Sequence, residues 1–314
     1  MFKTMKSPRA FATICVACLI YAVCHCETAY CADDDDTFDI TTAPQYTRED
    51  KVRVMAILDD VREKKAAGEL SEGTGDVVVY IARKFIGVPY VGHTLEINDR
   101  ERLVVNLRQL DCTTYVENVI ALTLCVLQDK YTFETFCHNL CHIRYMKDST
   151  PQYVTRLHYF TTWIEQNTLK GICQEVNEPS PPFTGEQKVA VNYMTTHVDK
   201  YRMLAAHPED TAAIRQQEVD ITGNTYAFIP QEQLNNDGLL RQTIHDGDII
   251  AIITTKDGLD TQHVGIAVWH SDGLHLLNAS SIHHKVVEEK MTLQQYLMRH
   301  PSMPGIRVVR LRGA

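Results

Sequence analysis

Cys112 stands in the run Leu110-Asp111-Cys112-Thr113-Thr114-Tyr115-Val116-Glu117-Asn118, where a strong helix N-cap residue immediately precedes a thiol and an apolar helical stretch follows it. A helix N-terminus exposes unpaired N–H groups and about half a positive charge. A cysteine in the first turn is therefore expected to have its thiolate stabilised and its pKa lowered. The chemistry this offers is nucleophilic attack on a carbonyl. Against it stands the plain alternative that a free cysteine packs as a small buried hydrophobe.

A thiol nucleophile needs a base within hydrogen-bond reach, and the base needs a third group that fixes its tautomer. With 14 histidines in the chain, the presence of a histidine selects nothing by itself. Strand geometry narrows the choice. His263 opens the run Gln262 to Val268, in which His263, Gly265 and Ala267 share one face while Val264, Ile266 and Val268 share the other. If Trp269-His270-Ser271-Asp272 forms a four-residue hairpin loop, Val268 pairs with Gly273 and His263 lies opposite Asn278. The Asn278 oxygen then accepts from one imidazole nitrogen and leaves the other facing Cys112. Ser280, two residues on and on the same face, is the alternative orienting residue. Each has an ordinary structural reading as well: a strand-end histidine at the surface, an asparagine forming a turn.

Two other clusters read as structural. Cys137-His138-Asn139-Leu140-Cys141-His142 offers soft ligands, but zinc sites draw on two separated pairs and no second pair follows at finger spacing, so this is expected to be a buried helical face and no metal is expected. His283-His284 is expected in an exposed loop. Gly87-Val88-Pro89-Tyr90-Val91-Gly92 joins a rigid proline, an aromatic and permissive glycines, as in a loop held close to a ligand, or as in a plain helix-ending turn.

The elements that must position these residues follow from periodicity. Thr47 with Asp50 has the form of a capping box, and Val52, Met55, Leu58 and Val61 recur at helical spacing until Gly68. A second helix is expected from Val77 to Phe85, then the Cys112 helix, with Val116, Val119, Ile120 and Leu127 on its buried side. Residues from about 128 to 225 read as a largely helical insertion, with a loop at Pro179 to Pro182. Asp248 to Ile253, His263 to Val268, Gly273 to Leu277 and Gly305 to Leu311 read as an antiparallel sheet. Helices first and strands later give an α+β domain, expected to span 47–312.

Composition sets the boundaries. The 314 residues carry 31 basic and 40 acidic side chains, a net charge of -9, with no basic block, which argues against nucleic acid as a partner. Residues 1–31 read as a secretory signal peptide: Lys3, Lys6 and Arg9 precede an apolar stretch from Ala10 to Val23 that is too short to span a bilayer, with cleavage after Cys31 or Cys26. Residues 32–46 read as an acidic, flexible segment. The expectation is an exported protein, periplasmic or extracellular, with no membrane span once the leader is removed. Five of the ten cysteines lie in the leader. The remaining Cys112, Cys125, Cys137, Cys141 and Cys173 are odd in number, so at least one stays unpaired within a monomer.

Together Gly87-Val88-Pro89-Tyr90, Leu110-Asp111-Cys112, Gly247-Asp248-Ile249-Ile250 and His263-Val264-Gly265-Ile266 resemble the NlpC/P60 superfamily of cysteine peptidases and amidases, in that family's order. Longer runs resemble its DUF1460 branch: Tyr90 to Glu96, Arg102 to Arg108 leading into Leu110-Asp111-Cys112-Thr113-Thr114, Arg156-Leu157-His158-Tyr159-Phe160 before Trp163-Ile164, and Gly258-Leu259-Asp260 before His263. The resemblance implies a papain-like core with the nucleophile helix packed on an antiparallel sheet. It also implies N-acetylmuramoyl-L-alanine amidase activity on muropeptides without a cofactor. It puts the nucleophile at Cys112, the base at His263 and the third polar residue at Asn278, where the superfamily often has histidine. Tyr90, Asp111 and Ser280 are the candidates for substrate contact or oxyanion stabilisation. The competing expectations are an endopeptidase cutting D-glutamyl-diamino acid bonds, a catalytically silent wall-binding module and a papain-like transglutaminase.

Overall fold

The computed structural model describes residues 43–235 and 237–313. The expected signal peptide and most of the acidic segment lie outside the described residues. The first helix starts where the capping box was read. Thr47 caps α1 (Arg48–Ala66) and accepts from the Asp50 N–H, while the Asp50 carboxylate takes the Thr47 N–H in return. The other Asp50 oxygen accepts from the Leu107 N–H at 3.0 Å and from Arg108 Nε at 3.1 Å, so the start of α1 anchors the segment that leads to Cys112.

The second helix, α2, runs over Thr74–Arg83, slightly earlier than its apolar run suggested. The Cys112 helix, α3 (Cys112–Leu127), is not one-sided as expected. From Thr114 to Thr123 every residue is buried, and Leu127 is only partly so. A helix enclosed on all sides is a central core element, and its interior charge, Glu117, is paired with Arg144 at 2.7 Å.

The segment read as largely helical holds α4 (Phe133–Arg144), α5 (Phe160–Leu169) and the short α6 (Tyr193–Thr196), α7 (Arg202–Ala206) and α8 (Thr211–Ile221). It also holds two strands the reading missed, β1 (Cys173–Val176) and β2 (Gly185–Lys188). Each is four residues long, β1 with apolar residues only at its two ends and β2 with no large apolar residue, so neither shows the apolar alternation that marks a strand. Pairing with distant strands holds them instead. After them come β3 (Thr225–Pro230), α9 (Asp237–Thr243), β4 (Ile249–Ile253), β5 (Thr261–His270), β6 (Gly273–Ser280), β7 (Lys285–Glu288), α10 (Leu293–Met298) and β8 (Gly305–Leu311). All strand pairs are antiparallel. The sheet order is β2-β3-β8-β4-β5-β6-β7, with β1 also against β8, which makes the fold α+β.

Both faces of the sheet are covered, which is why β4 reads as the unbroken run Ile249-Ile250-Ala251-Ile252-Ile253. Val264, Ile266 and Val268 pack with α1 to α5 in one core, and Ala267, Leu274 and Leu276 pack with α10 in a second. The alternation expected along β5 is present. The hairpin loop is not. Trp269 and His270 continue β5, and the turn is the two residues between His270 and Gly273, with Val268 opposite His275. The expected register is therefore off by two. Because side chains alternate with period two, an even slip leaves His263 and Asn278 on the same face, now diagonal to each other.

Candidate active site

The thiol is placed by its cap and by the strand segment beside it. Asp111 precedes α3, and its Oδ1 accepts from the Thr114 N–H at 2.8 Å while the Thr114 hydroxyl takes the Asp111 N–H at 2.9 Å. Just upstream, Leu110 bridges in parallel to Tyr90: the Val91 N–H donates to the Leu110 carbonyl at 3.0 Å and the Leu110 N–H to Pro89 at 3.1 Å. On its other side the same segment extends β7, with the Gly87 N–H on the Val286 carbonyl at 2.9 Å and the Tyr90 N–H on the His284 carbonyl at 3.0 Å. The Gly87 to Tyr90 run is thus an edge piece that clamps the start of α3. At Gly87, φ is +90°, a conformation that glycine supplies without strain.

Electrostatics at Cys112 run against the sequence expectation. Cys112 is half-buried, and desolvation of its thiol, with the Asp111 carboxylate acting in the same direction, pushes its pKa up to about 12. The Val264 and Thr113 amides and the Thr113 hydroxyl oppose this but are outweighed. The helix N-terminus is where it was expected, yet the resting group is a thiol, because desolvation penalises the charged form. Val264 follows His263 directly in β5, which sets Cys112 beside the base. No hydrogen bond joins the two side chains among the described residues. In ligand-free sites catalytic hydrogen bonds are often long and tighten only around substrate.

His263 is buried, and its Nε2 lies 2.9 Å from Asn278 Oδ1. Its Nδ1 makes no hydrogen bond among the described residues. Burial lowers its pKa, while the Asn278 hydrogen bond and the Glu289 charge raise it. The β5–β6 ladder ends at Ile266–Leu277, so His263 and Asn278 meet through side chains. Gly265 makes this possible: a Cβ there would lie 2.7 Å from Leu276 Cδ1 and 3.0 Å from Asn278 Cβ.

Of the other expected site residues, Tyr90 lies beside Cys112 and Asp111, both of which, after burial, raise its pKa and keep its hydroxyl protonated. Asp111 is engaged as the α3 cap, and a carboxylate offers acceptors rather than donors to an oxyanion. Ser280 is not brought to His263. Its hydroxyl accepts from the His283 N–H at 3.2 Å. Cys137 and Cys141 are buried among the apolar side chains of the larger core, and all five cysteines of the described chain are free thiols.

Two neighbours escaped the sequence reading. Tyr296 of α10 stacks over His263, ring centroids 6.4 Å apart. Its helix was legible: Thr292 and Gln295 form a capping box, and Leu293, Tyr296 and Leu297 follow at helical spacing. Glu289, just past β7, donates its N–H to the Leu276 carbonyl at 2.9 Å and turns its carboxylate toward Asn278. Nothing in the run Val286-Val287-Glu288-Glu289 separates it from its half-buried neighbour Glu288 without the strand register.

The model of the AmiA-like family, described as N-acetylmuramoyl-L-alanine amidase-like, matches residues 80–306 and so takes in Tyr90, Cys112, His263, Asn278 and Glu289. The chain belongs to this family. Among solved structures it is similar to an N-acetylmuramoyl-L-alanine amidase from Bacteroides uniformis, at 38% identity and TM-score 0.71, over 76% of this chain and 99% of that one. A Bacteroides fragilis protein named as a candidate xylanase matches at 38% identity and TM-score 0.69, over 74% and 100%. A Legionella pneumophila protein of the DUF1460 family shares the fold at 19% identity and TM-score 0.65, over 84% and 94%. No curated protein matches the chain.

Proposed function

We propose that this protein hydrolyses the amide joining the lactyl group of N-acetylmuramic acid to L-alanine in muropeptides, with Cys112 as nucleophile and a thioester intermediate. The observation that carries the reading is the 2.9 Å contact between His263 Nε2 and Asn278 Oδ1. It leaves Nδ1 as the basic nitrogen in the part of β5 that lies against Cys112. Family membership and the B. uniformis amidase support the substrate class. On this reading the α3 and β4 to β7 unit is a papain-like NlpC/P60 core, and the enzyme acts after export, in the periplasm or at the cell surface.

The steps follow from the groups present. Because the resting thiol is protonated, His263 Nδ1 takes its proton as the thiolate attacks the lactyl carbonyl. The oxyanion is held by the Cys112 N–H, which has no acceptor among the described residues, and by the protonated Tyr90 hydroxyl. Collapse breaks the C–N bond, and the imidazolium gives its proton to the departing alanine amine. Neutral His263 then deprotonates a water that attacks the thioester, releasing the lactyl acid and returning the proton to Cys112. These steps call for no metal or cofactor. Glycoside hydrolysis, by contrast, uses two facing carboxylates, and the pair here is a thiol and an imidazole.

Digestion of one defined muropeptide in ¹⁸O-water tests the bond assigned. The expected products are an intact stem peptide without label and a sugar whose lactyl carboxylate carries one ¹⁸O. Label in a shortened peptide would assign endopeptidase cleavage instead.

A further inference from the structure

We infer that Glu289 is a positioning residue for this site: its buried carboxylate fixes the orientation of the Asn278 amide and thereby the tautomer of His263. The inference rests on the reading of Cys112 and His263 as nucleophile and base.

Glu289 is 4% exposed and is held through its own backbone, the N–H on Leu276 and the carbonyl accepting from His275 Nδ1–H at 2.8 Å. Its Oε1 lies 3.4 Å from Asn278 Nδ2, which lies at the same distance from the Leu276 carbonyl, and its Oε2 lies 3.3 Å from His283 Nε2. Among the other buried carboxylates of the described residues, Asp50 has Arg108, Glu117 has Arg144 and Asp248 has Arg310. Glu218 and Asp260, which have no arginine, accept closer hydrogen bonds, from Tyr159 and Thr195 and from the Thr161 and Thr261 amides respectively. The only ion-pair partner of Glu289 among the described residues is His283, which is half exposed and charged only when protonated. Burying an acid so weakly compensated is costly. Its placement behind the third residue of the site gives that cost a use.

The argument is one of donors and acceptors. A carboxylate accepts only, so it takes a hydrogen from the Asn278 NH₂ and turns Oδ1 to the opposite side. Oδ1 also accepts only, so the His263 nitrogen facing it must carry the hydrogen. That nitrogen is Nε2, and the neutral ring is left with its lone pair on Nδ1, free to take the Cys112 proton. With the amide reversed, the NH₂ would face Nε2, the ring hydrogen would move to Nδ1, and the base would be lost. Glu289, whose carboxylate adds its charge to the Leu276 carbonyl beside the same nitrogen, disfavours this arrangement. Its charge also favours the imidazolium that forms during the reaction. The other charged or titratable groups acting on His263 are Asp111, the cap of α3, and His300, just past α10.

Long-range ¹H–¹⁵N spectra of ring-labelled mature protein, with His263 assigned by comparison with His263→Gln, read the tautomer directly. The wild type is expected to carry its hydrogen on Nε2, a result that needs no Glu289 variant to fold. Glu289→Gln, whose side chain can donate as well as accept, is expected to populate the Nδ1–H form. It should lower kcat by roughly 10- to 100-fold with KM little changed, and move the acid limb of kcat/KM to lower pH. A wild-type hydrogen on Nδ1 overturns the inference. So does a folded Glu289→Gln protein with unchanged tautomer, kcat and acid limb. The spectra do not depend on the substrate: an Nε2–H tautomer lost in Glu289→Gln, in a protein that leaves muropeptides uncut, upholds the role of Glu289 and overturns the amidase reading.

Discussion

At the scale of the residue, Asp111 acts on Cys112 in two opposed ways. Its side chain caps α3 and so fixes where the thiol sits, yet its charge helps to hold the thiol protonated. Asp111→Asn keeps an N-cap acceptor, at a cost of no more than about 1 kcal/mol, and removes the charge. The thiol pKa should fall, and alkylation of Cys112 by iodoacetamide should speed up between pH 7 and 8. An unchanged or slower rate in the folded variant would contradict the electrostatic account. The cap before Cys112 and the shared face of His263 and Asn278 were legible in the sequence because each rests on a local rule: a cap residue before an apolar helix, and the parity of a hairpin. The protonation state of the thiol was not, since desolvation depends on packing that no local run encodes. Glu289 was hidden for a related reason, as only the β6–β7 register tells it from Glu288, which pairs with Arg83 at the surface.

At the scale of the element, the meeting of β5 and β6 depends on the absence of a side chain at Gly265. Gly265→Ala would set a methyl 2.7 to 3.0 Å from Leu276 and Asn278, and one of them must move. The variant should lose about 1 to 3 kcal/mol of stability. Its kcat should fall more than stability alone explains, measured by urea unfolding and by turnover below the melting range. Full activity in a folded Gly265→Ala protein would show that the His263–Asn278 contact tolerates displacement. Long apolar strands and capped helices were legible here, α1 almost to the residue. What failed were β1 and β2, short and polar, and the one-sided reading of α3. Its burial on every side reflects α1, α2, α4 and the sheet closing around it rather than its own periodicity.

At the scale of the whole molecule, the site is a seam where two cores meet across one sheet, and acid should destabilise the fold that holds it. His158 is half-buried beside Arg156, and desolvation of its ring together with the Arg156 charge pushes its pKa down from 6.5 to about 3, with desolvation the larger cause. An unfolded chain therefore takes up a proton near pH 6.5 that the folded chain refuses. The stability this group contributes is complete above pH 6.5 and is lost as pH falls toward 3. The lowered pKa of Asp50 acts in the same direction below its ordinary value of 3.8. Thermal melting should drop steadily from pH 6.5 to 4, and His158→Gln should flatten that decline. An equally steep decline in the variant would place the acid sensitivity elsewhere. No helix among the described residues is long and apolar enough to cross a membrane.

The central claim is that Cys112 carries the acyl group. Acid-quenched wild-type protein taken during turnover of a defined muropeptide should show, by intact mass, an added sugar-lactyl group on Cys112, and folded Cys112→Ala protein should show neither adduct nor product. Full-rate cleavage by Cys112→Ala would contradict the account.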